Sequence, residues 1–275
     1  MSHPDPIVDI AAAAELEDGA APLDEATLMA LRHDRAGVRR WERADAFALL
    51  VGDDLSLVVH PRSRRQGVGG SLLDTVVAEA GESALRAWSH ADHPAAARLA
   101  ATRGFDRVRE LWVMRRAADS PLPPMAAPEG VTIRAYRPTD DPELLRVNAT
   151  AFADHPEQGA MDAANLAERM AEPWFDPTGL LVAEDRDGSL LGFHWTKQHS
   201  ADLGEVYVVA IAPEAQGRGL GGVLTLAGLH HLAGLGVREV LLYVESDNRP
   251  AVAVYSRLGF GHAARDTHVM YRRGT

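Results

Sequence analysis

The sequence predicts an α/β fold built twice over, and three observations carry that expectation. Apolar, β-branched runs alternate with stretches of helical periodicity along the chain. A strand, a proline, a glycine loop and a helix recur in that order at a nearly constant offset. A proline-rich stretch separates the two copies.

The repeat is read directly from the residues. Leu57-Val58-Val59-His60-Pro61 is followed by Arg64-x-x-Gly67-x-Gly69, and Val209-Ala210-Ile211-Ala212-Pro213 is followed by Gln216-x-x-Gly219-x-Gly221. Pro61 and Pro213, Gly67 and Gly219, and Gly69 and Gly221 are each 152 residues apart. Gly104-Phe105 returns as Gly259-Phe260 at an offset of 155. Between the copies, Asp119 to Pro128 holds four of the chain's 16 prolines, a stiff linker without many backbone donors. The expected division is therefore 1–118, a linker at 119–128, and 129–275.

In the first half, Ala46–Val51 and Leu55–Val59 read as strands around Gly52-Asp53-Asp54. One or two strands of the second half find no counterpart there, so the first half reads as shortened. In the second half, Val131–Arg134 is a short strand. Asp141–Phe152 is a helix with Pro142 in its first turn, and Asp162–Met170 is another. Leu180–Glu184 and Leu190–Thr196 form a hairpin around Asp187-Gly188. Glu205–Ile211 is an apolar strand, and Gly221–Leu235 is the helix after the glycines. Val240–Val244 is a strand, Arg249–Leu258 a helix, and Val269–Arg272 the last strand. Each half thus reads as a mixed sheet flanked by helices.

Composition narrows the chemistry. The 275 residues are 46% hydrophobic and include no cysteine, which excludes a disulfide framework, a cysteine nucleophile and thiolate metal sites. The 28 Lys+Arg against 39 Asp+Glu give a net charge of −11, unsuited to a phosphate backbone. The 12 histidines, among them His230-His231 and His90-x-x-His93, show no metal-ligand spacing, so no metal is expected. No apolar run approaches a membrane span, and the N-terminus lacks a basic-then-apolar leader, so a cytoplasmic protein is expected.

A strand, a glycine loop and a helix start make a phosphate-binding device. Glycine lets the backbone approach a ligand, and helix-start N–H groups and the helix dipole favour an anion. Gly217-Arg218-Gly219-Leu220-Gly221-Gly222 fits the dinucleotide fingerprint G-x-G-x-x-G. In that unit the first glycine follows the strand at once. Here Ala212–Gln216 intervene, Glu239 precedes its strand, and the copy at Gly67-Val68-Gly69-Gly70-Ser71-Leu72 does not fit.

Both loops resemble the (Arg/Gln)-x-x-Gly-x-(Gly/Ala) loop of the GNAT acetyltransferases, which wraps the coenzyme A pyrophosphate. The second half also has that family's tail: Asn248-Arg249-Pro250-Ala251, then Tyr255-Ser256-Arg257-Leu258-Gly259-Phe260. The resemblance implies two tandem GNAT-type domains, and the basic run Arg62-Ser63-Arg64-Arg65 then lies in a phosphate loop. Across Pro128–Tyr271 the strings His155-Pro156-Glu157-Gln158-Gly159, Trp174-Phe175-Asp176-Pro177, Gly192–Lys197, Gly204–Val209 and Leu242–Asn248 are similar to the mycothiol synthase family. That family acetylates the free amine of cysteinyl-glucosaminyl-inositol with acetyl-CoA.

By that resemblance, Val209, Ala210, Ile211, Gln216, Gly217, Arg218, Gly219, Leu220, Gly221 and Gly222 hold acetyl-CoA in the second half. Asn248, Arg249, Pro250, Ala251, Val252 and Ala253 lie along the rest of it. Leu57, Val58, Val59, Arg65, Gln66, Gly67, Val68, Gly69 and Gly70 form a first-half cofactor site. Glu157, Lys197, Glu205 and Tyr243 contact the substrate, joined by Glu25 from the first half. A monomer acting on small molecules, without nucleic acid or membrane, is expected.

The chemistry suits these residues. An α-amine of pKa near 7.7–8.0 attacks a thioester only when neutral, so one carboxylate need remove one proton. Glu205 opens the strand before the loop and is the expected general base. Period-two alternation places Glu205, Tyr207 and Val209 on one face. Tyr255 is the expected general acid for the leaving thiolate, and backbone N–H groups at Val209–Ile211 can polarise the thioester oxygen. Each residue also has a plainer reading: a solvated strand-edge Glu205, a packed Tyr255, an edge charge at Lys197. At the matching first-half positions stand Ala100 for Tyr255, His93 for Asn248 and Asp53 for Glu205, so one active site is expected, with the first half either binding acetyl-CoA without turnover or only buttressing the substrate cleft. A tandem GNAT acting on another small amine, and a non-catalytic acyl-CoA-binding module, remain open readings.

Overall fold

The structure, a computed structural model, describes residues 5–32, 37–153 and 156–274; the side chains of Glu25, Ala26, Pro156 and Glu157 lie outside the described set. The chain opens with α1 (Pro6–Asp18), whose first turn is capped by the Asp5 carboxylate accepting from the Ile7 N–H at 3.0 Å. Gly19, at φ 70°, stops it. Next come α2 (Glu25–Arg32), β1 (Arg39–Arg43), β2 (Ala46–Val51) and β3 (Asp54–Val59). Then follow α3 (Val68–Ala80), β4 (Leu85–Ser89), α4 (Pro94–Thr102) and the long β5 (Asp106–Ala117).

The second half holds β6 (Thr132–Ala135), α5 (Asp141–Ala151), α6 (Pro156–Gly159) and α7 (Ala163–Met170). The hairpin forms as expected from β7 (Leu180–Glu184) and β8 (Leu190–Gln198), with Gly188 at φ 88° in its turn. After it come β9 (Leu203–Ile211), α8 (Leu220–Gly234), β10 (Glu239–Glu245), α9 (Arg249–Arg257) and β11 (Gly261–Arg273). The expected elements are present with ends shifted by one or two residues, except the last strand, expected at Val269–Arg272, which begins at Gly261. Besides β4 and β5, the first half has a further strand that was not among those expected, β1. Its sequence, Arg39-Arg40-Trp41-Glu42-Arg43, is charged and only Trp41 is half-buried, because it is an edge strand supported by β2 alone. The first half therefore lacks a counterpart of β6 but has one of β7.

Contacts divide the chain into two compact units that differ from the linear division at 119–128. The first comprises Met1–Trp112, Glu245–Asp247 and Ala263–Thr275; the second comprises Val113–Val244 and Asn248–His262. Thus the end of the stretch 129–275 belongs with the first unit. The reason is strand pairing: Val269–Arg273 of β11 runs antiparallel to Ser89–Leu85 of β4. Val269 and Tyr271 are buried there with Leu72, Val76, Ala100 and Phe105.

In the first unit the strand order is β1-β2-β3-β4-β11, then the start of β5. In the second it runs from the rest of β5 through β10-β9-β8-β7 to β6. The β2–β3 and β8–β9 pairs are antiparallel, while β3–β4 and β9–β10 are parallel, so each sheet is mixed. The second unit's core joins Leu144, Val147 and Leu166 to Phe193, Trp195, Val208 and Ala210. Among the described residues no helix is long and apolar enough to cross a membrane.

Candidate active site

Strand β9 leads through a single 3₁₀ turn at Pro213–Ala215 into the glycine loop and α8. Gly217 and Gly219 take φ of 78° and 77°, backbone that a side chain would strain. Gly219 is the N-cap of α8 and has no capping side chain, which leaves the helix-start N–H groups directed into the loop. Asn248 caps α9, its side-chain oxygen accepting from the Ala251 N–H at 3.2 Å.

These elements surround a cavity of about 900 Å³. Of the expected cofactor residues, Val209, Ile211, Gln216, Gly217, Gly219, Leu220, Gly221, Gly222, Asn248, Pro250 and Ala251 line it, and so does Tyr255. Ala210, Arg218, Arg249, Val252 and Ala253 are not among the lining residues. Ala210 points into the core, and Arg218 lies 3.5 Å from Asp185. Two linker residues, Pro124 and Ala126, complete the wall, a role their proline-rich context did not disclose.

The strand ahead of the loop is irregular, and the irregularity matters. Thr196 of β8 pairs with Val206, whereas Trp195 pairs with Val208, so β9 carries an extra residue at Tyr207. The bulge resets the alternation. Glu205 pairs with Lys197, and Val208 with Trp195, on one face; Val209 pairs with His194 on the other. The expectation that Glu205 and Val209 share a face is thus corrected, because a one-residue bulge exchanges the faces of everything beyond it. Tyr207 does stay with Glu205: its ring lies 5.1 Å from the Lys197 ammonium and 5.8 Å from Trp195.

On the other side of β9 the parallel ladder to β10 ends at Val206–Leu242. Beyond that pair the strands part. Val209 and Ile211, past that point, line the cavity.

Three expected substrate residues come together. Leu241 pairs with Glu205, so Tyr243, two residues on, shares the face of Glu205 and Lys197 and is exposed. The Lys197 ammonium sits over the rings of Trp174, at 4.5 Å, and Tyr207. Glu205 is only 5% exposed and is bonded to the His199 Nε2 at 2.6 Å. The solvated-edge reading of Glu205 does not survive this burial. The side chains of Glu25 and Glu157, and His155 entirely, lie outside the described residues.

Tyr255 packs edge-on against Phe260 with centroids 6.0 Å apart, and burial pushes its phenol up to about 12. It therefore keeps its proton throughout the neutral range.

The first unit has a cavity of similar size, about 920 Å³. Leu57, Val58, Val59, Arg65, Gly67, Val68, Gly69 and Gly70 line it, while Gln66 turns its amide to the Arg62 carbonyl at 3.2 Å. Two arginines of the basic run serve the fold. Arg62 is bonded to Asp45, whose carboxyl it holds below the usual range, and Arg64 grips both oxygens of Asp18 at 2.6 and 2.7 Å. Among the described residues no group of three potential metal ligands converges in either unit.

Comparison with known proteins follows the same lines. The profile of the acetyltransferase (GNAT) family matches residues 36–105 and 145–260. A mycothiol acetyltransferase of Nocardioides sp. is 63% identical, covering 97% of this chain and 96% of that one. One from Thermomonospora curvata is 49% identical over 97% of this chain and 92% of that one. Among solved structures, a GCN5-related N-acetyltransferase from Sphaerobacter thermophilus aligns with a TM-score of 0.71 at 24% identity, covering 98% and 91% of the two chains. A tandem GNAT protein from the clavulanic acid biosynthesis pathway aligns at 0.72 and 20%, covering 97% and 93%, and these two share the fold.

Proposed function

This chain belongs to the GNAT acetyltransferase family, in its mycothiol acetyltransferase branch, and from that premise we propose that its second unit moves the acetyl group of acetyl-CoA onto the cysteinyl amine of cysteinyl-glucosaminyl-inositol. The observation that carries this reading is the meeting, in one unit, of a glycine-loop cavity with a buried carboxylate and a protonated phenol.

The α8 N-terminus and the glycines at 217 and 219 take the pyrophosphate. Past Val206–Leu242, the edge of β9 offers backbone groups to the amides of the coenzyme's arm, as a neighbouring strand would. Lys197, Glu205 and Tyr243 receive the amine from the other face of the sheet. The bulge at Tyr207 thus divides labour along one strand: acceptor before it, thioester after it.

Glu205 takes a proton from the substrate ammonium, and the freed lone pair attacks the thioester carbon. Backbone N–H groups at Val209–Ile211 face the developing oxyanion. As the C–S bond breaks, Tyr255 donates to the departing sulfur, and the second proton of the nitrogen, made acidic by the new N–C bond, returns to the phenolate so that a neutral amide and a neutral phenol remain. No covalent enzyme intermediate is needed, and the chain has no cysteine to form a thioester.

The first unit's cavity holds acetyl-CoA without turnover, because Ala100 stands where the acid would and the base's register position falls on Asp54, which is paired with Arg86 at 2.9 Å, and not on the Asp53 expected from a fixed offset. Thiol release from acetyl-CoA, measured with cysteinyl-glucosaminyl-inositol beside simple cysteine amides and unrelated amines, tests the assignment. A kcat/KM at least tenfold higher for the glycosylated amine is expected. Equal rates with all amines would reassign the substrate, and no turnover with any would leave a binding module.

A further inference from the structure

The side chain at position 199 was singled out by no motif, yet among the described residues it makes a short contact to the buried Glu205. We infer that His199 is a positioning residue for Glu205: its Nε2–H holds one carboxylate oxygen, Oε2, and so keeps the other turned to the amine and the group ionised. This rests on the reading of Glu205 as the base.

The geometry is specific. His199 follows β8 directly, and its backbone N–H donates to the Leu203 carbonyl at 2.9 Å across the turn into β9. That bond fixes the ring's origin six residues from Glu205. The Nε2–Oε2 distance is 2.6 Å, in the range of a charge-assisted bond. The carboxylate is buried while the imidazole is 35% exposed, so the histidine is the partner with an edge toward water.

Among the described residues, other polar and charged groups lie on the elements around Glu205. Lys197 pairs with it from β8, Tyr207 and the Arg169 bonded to that phenol at 2.9 Å stand further along, and Tyr243 lies on β10. The lysine is occupied by the Trp174 and Tyr207 rings.

The physical case is one of desolvation. A buried carboxylate without a donor is driven toward its neutral form, in which it is no base at neutral pH. A neutral imidazole donating from Nε2 opposes that. In the step itself the ammonium N–H breaks, an O–H forms at the free Glu205 oxygen Oε1, and the electron pair stays on nitrogen. The proton on Oε1 then leaves to water with the product.

The test compares His199→Ala, His199→Gln and Glu205→Gln through pH profiles of kcat/KM. His199→Ala is expected to lower kcat/KM for the amine about 10- to 100-fold and to move the acid limb about one pH unit upward, with KM for acetyl-CoA unchanged. His199→Gln keeps an N–H donor at the same reach and is expected to recover most of the rate and return the limb. An unmoved limb in His199→Ala, or a His199→Gln no better than alanine, overturns the inference. If Glu205→Gln itself keeps the wild-type profile, the base assignment falls instead. Matching circular dichroism of the His199 variants separates a lost contact from a lost fold.

Discussion

The two glycine loops diverge at one backbone position and at each chemical one. Gly67 and Gly219 both open a helix at positive φ, 82° and 77°. Two residues earlier, Gly217 at φ 78° is matched by Arg65 at φ 61°, a conformation that costs a side chain about 1 kcal/mol. The acid and base positions differ more. Tyr255 corresponds to Ala100, which is buried in one cluster with Phe105, and the register position of Glu205, opposite Lys197 and Leu241, is taken by Asp54, opposite Val51 and Arg86.

The cores diverge in a compensated way. His194 lies opposite Val209, and its counterpart Ala48 lies opposite Leu57. Across from them, Gly228 corresponds to Val76. A Cβ at Gly228 would come within 2.1 Å of the His194 ring, so one unit packs large against small and the other small against large. The repeat kept volume and backbone while the proposed acid and base stand in one copy. A shared scaffold therefore does not make a shared site.

Four changes would break or sharpen that contrast. The largest is expected from Glu205→Gln with Tyr255→Phe, which should cut kcat by about 10³-fold or more. Thiol titration reads it; residual turnover within tenfold of wild type would place a second working site in the first unit. Next, Gly219→Val should raise KM for acetyl-CoA about tenfold, since valine at that φ distorts the loop, whereas Gly67→Val should leave KM within a factor of two. Equal effects would mean that both cavities serve turnover.

The third concerns acid. Burial drives His194 down to about 4, with its Nδ1–H donated to the Leu224 carbonyl at 2.8 Å and its Nε2 unpartnered. The unfolded chain takes up this proton near pH 6.5 and the folded chain only near 4, so stability falls as pH drops between them, by at most about 3 kcal/mol. His194→Ala with Gly228→Val, copying the first unit, should flatten this fall in urea midpoints at pH 7 and 4.5; an unchanged slope would assign the acid sensitivity elsewhere. The smallest effect is expected from Arg65→Gly. Relief of the positive φ, less glycine's entropy cost, leaves about 0.5 kcal/mol of stabilisation and a Tm rise of about 1–2 °C. A lowered Tm would show that the arginine side chain holds the loop.

Much of this was legible in the residues because short-range rules produced it. The hairpin at Gly188, the loop glycines and the Asn248 cap are set by local backbone chemistry. The edge strand β1 was not legible, since Arg39–Arg43 carries little apolar signal. Nor was the role of His199, for a lone histidine after a strand has no pattern to announce it. Its meaning came from the 2.6 Å contact to a residue across a turn.

The sequence by itself determined the duplicated strand–loop–helix device, the family, and which copy carries Glu205 and Tyr255. These rest on residue identity and spacing, which a linear chain displays in full. Only the tertiary structure decided that Glu205 is buried, that the Tyr207 bulge sends it and Val209 to opposite faces, and that β11 completes the first unit. Pairing register and burial are properties of neighbours brought together from distant positions, and period-two alternation holds only until a bulge interrupts it.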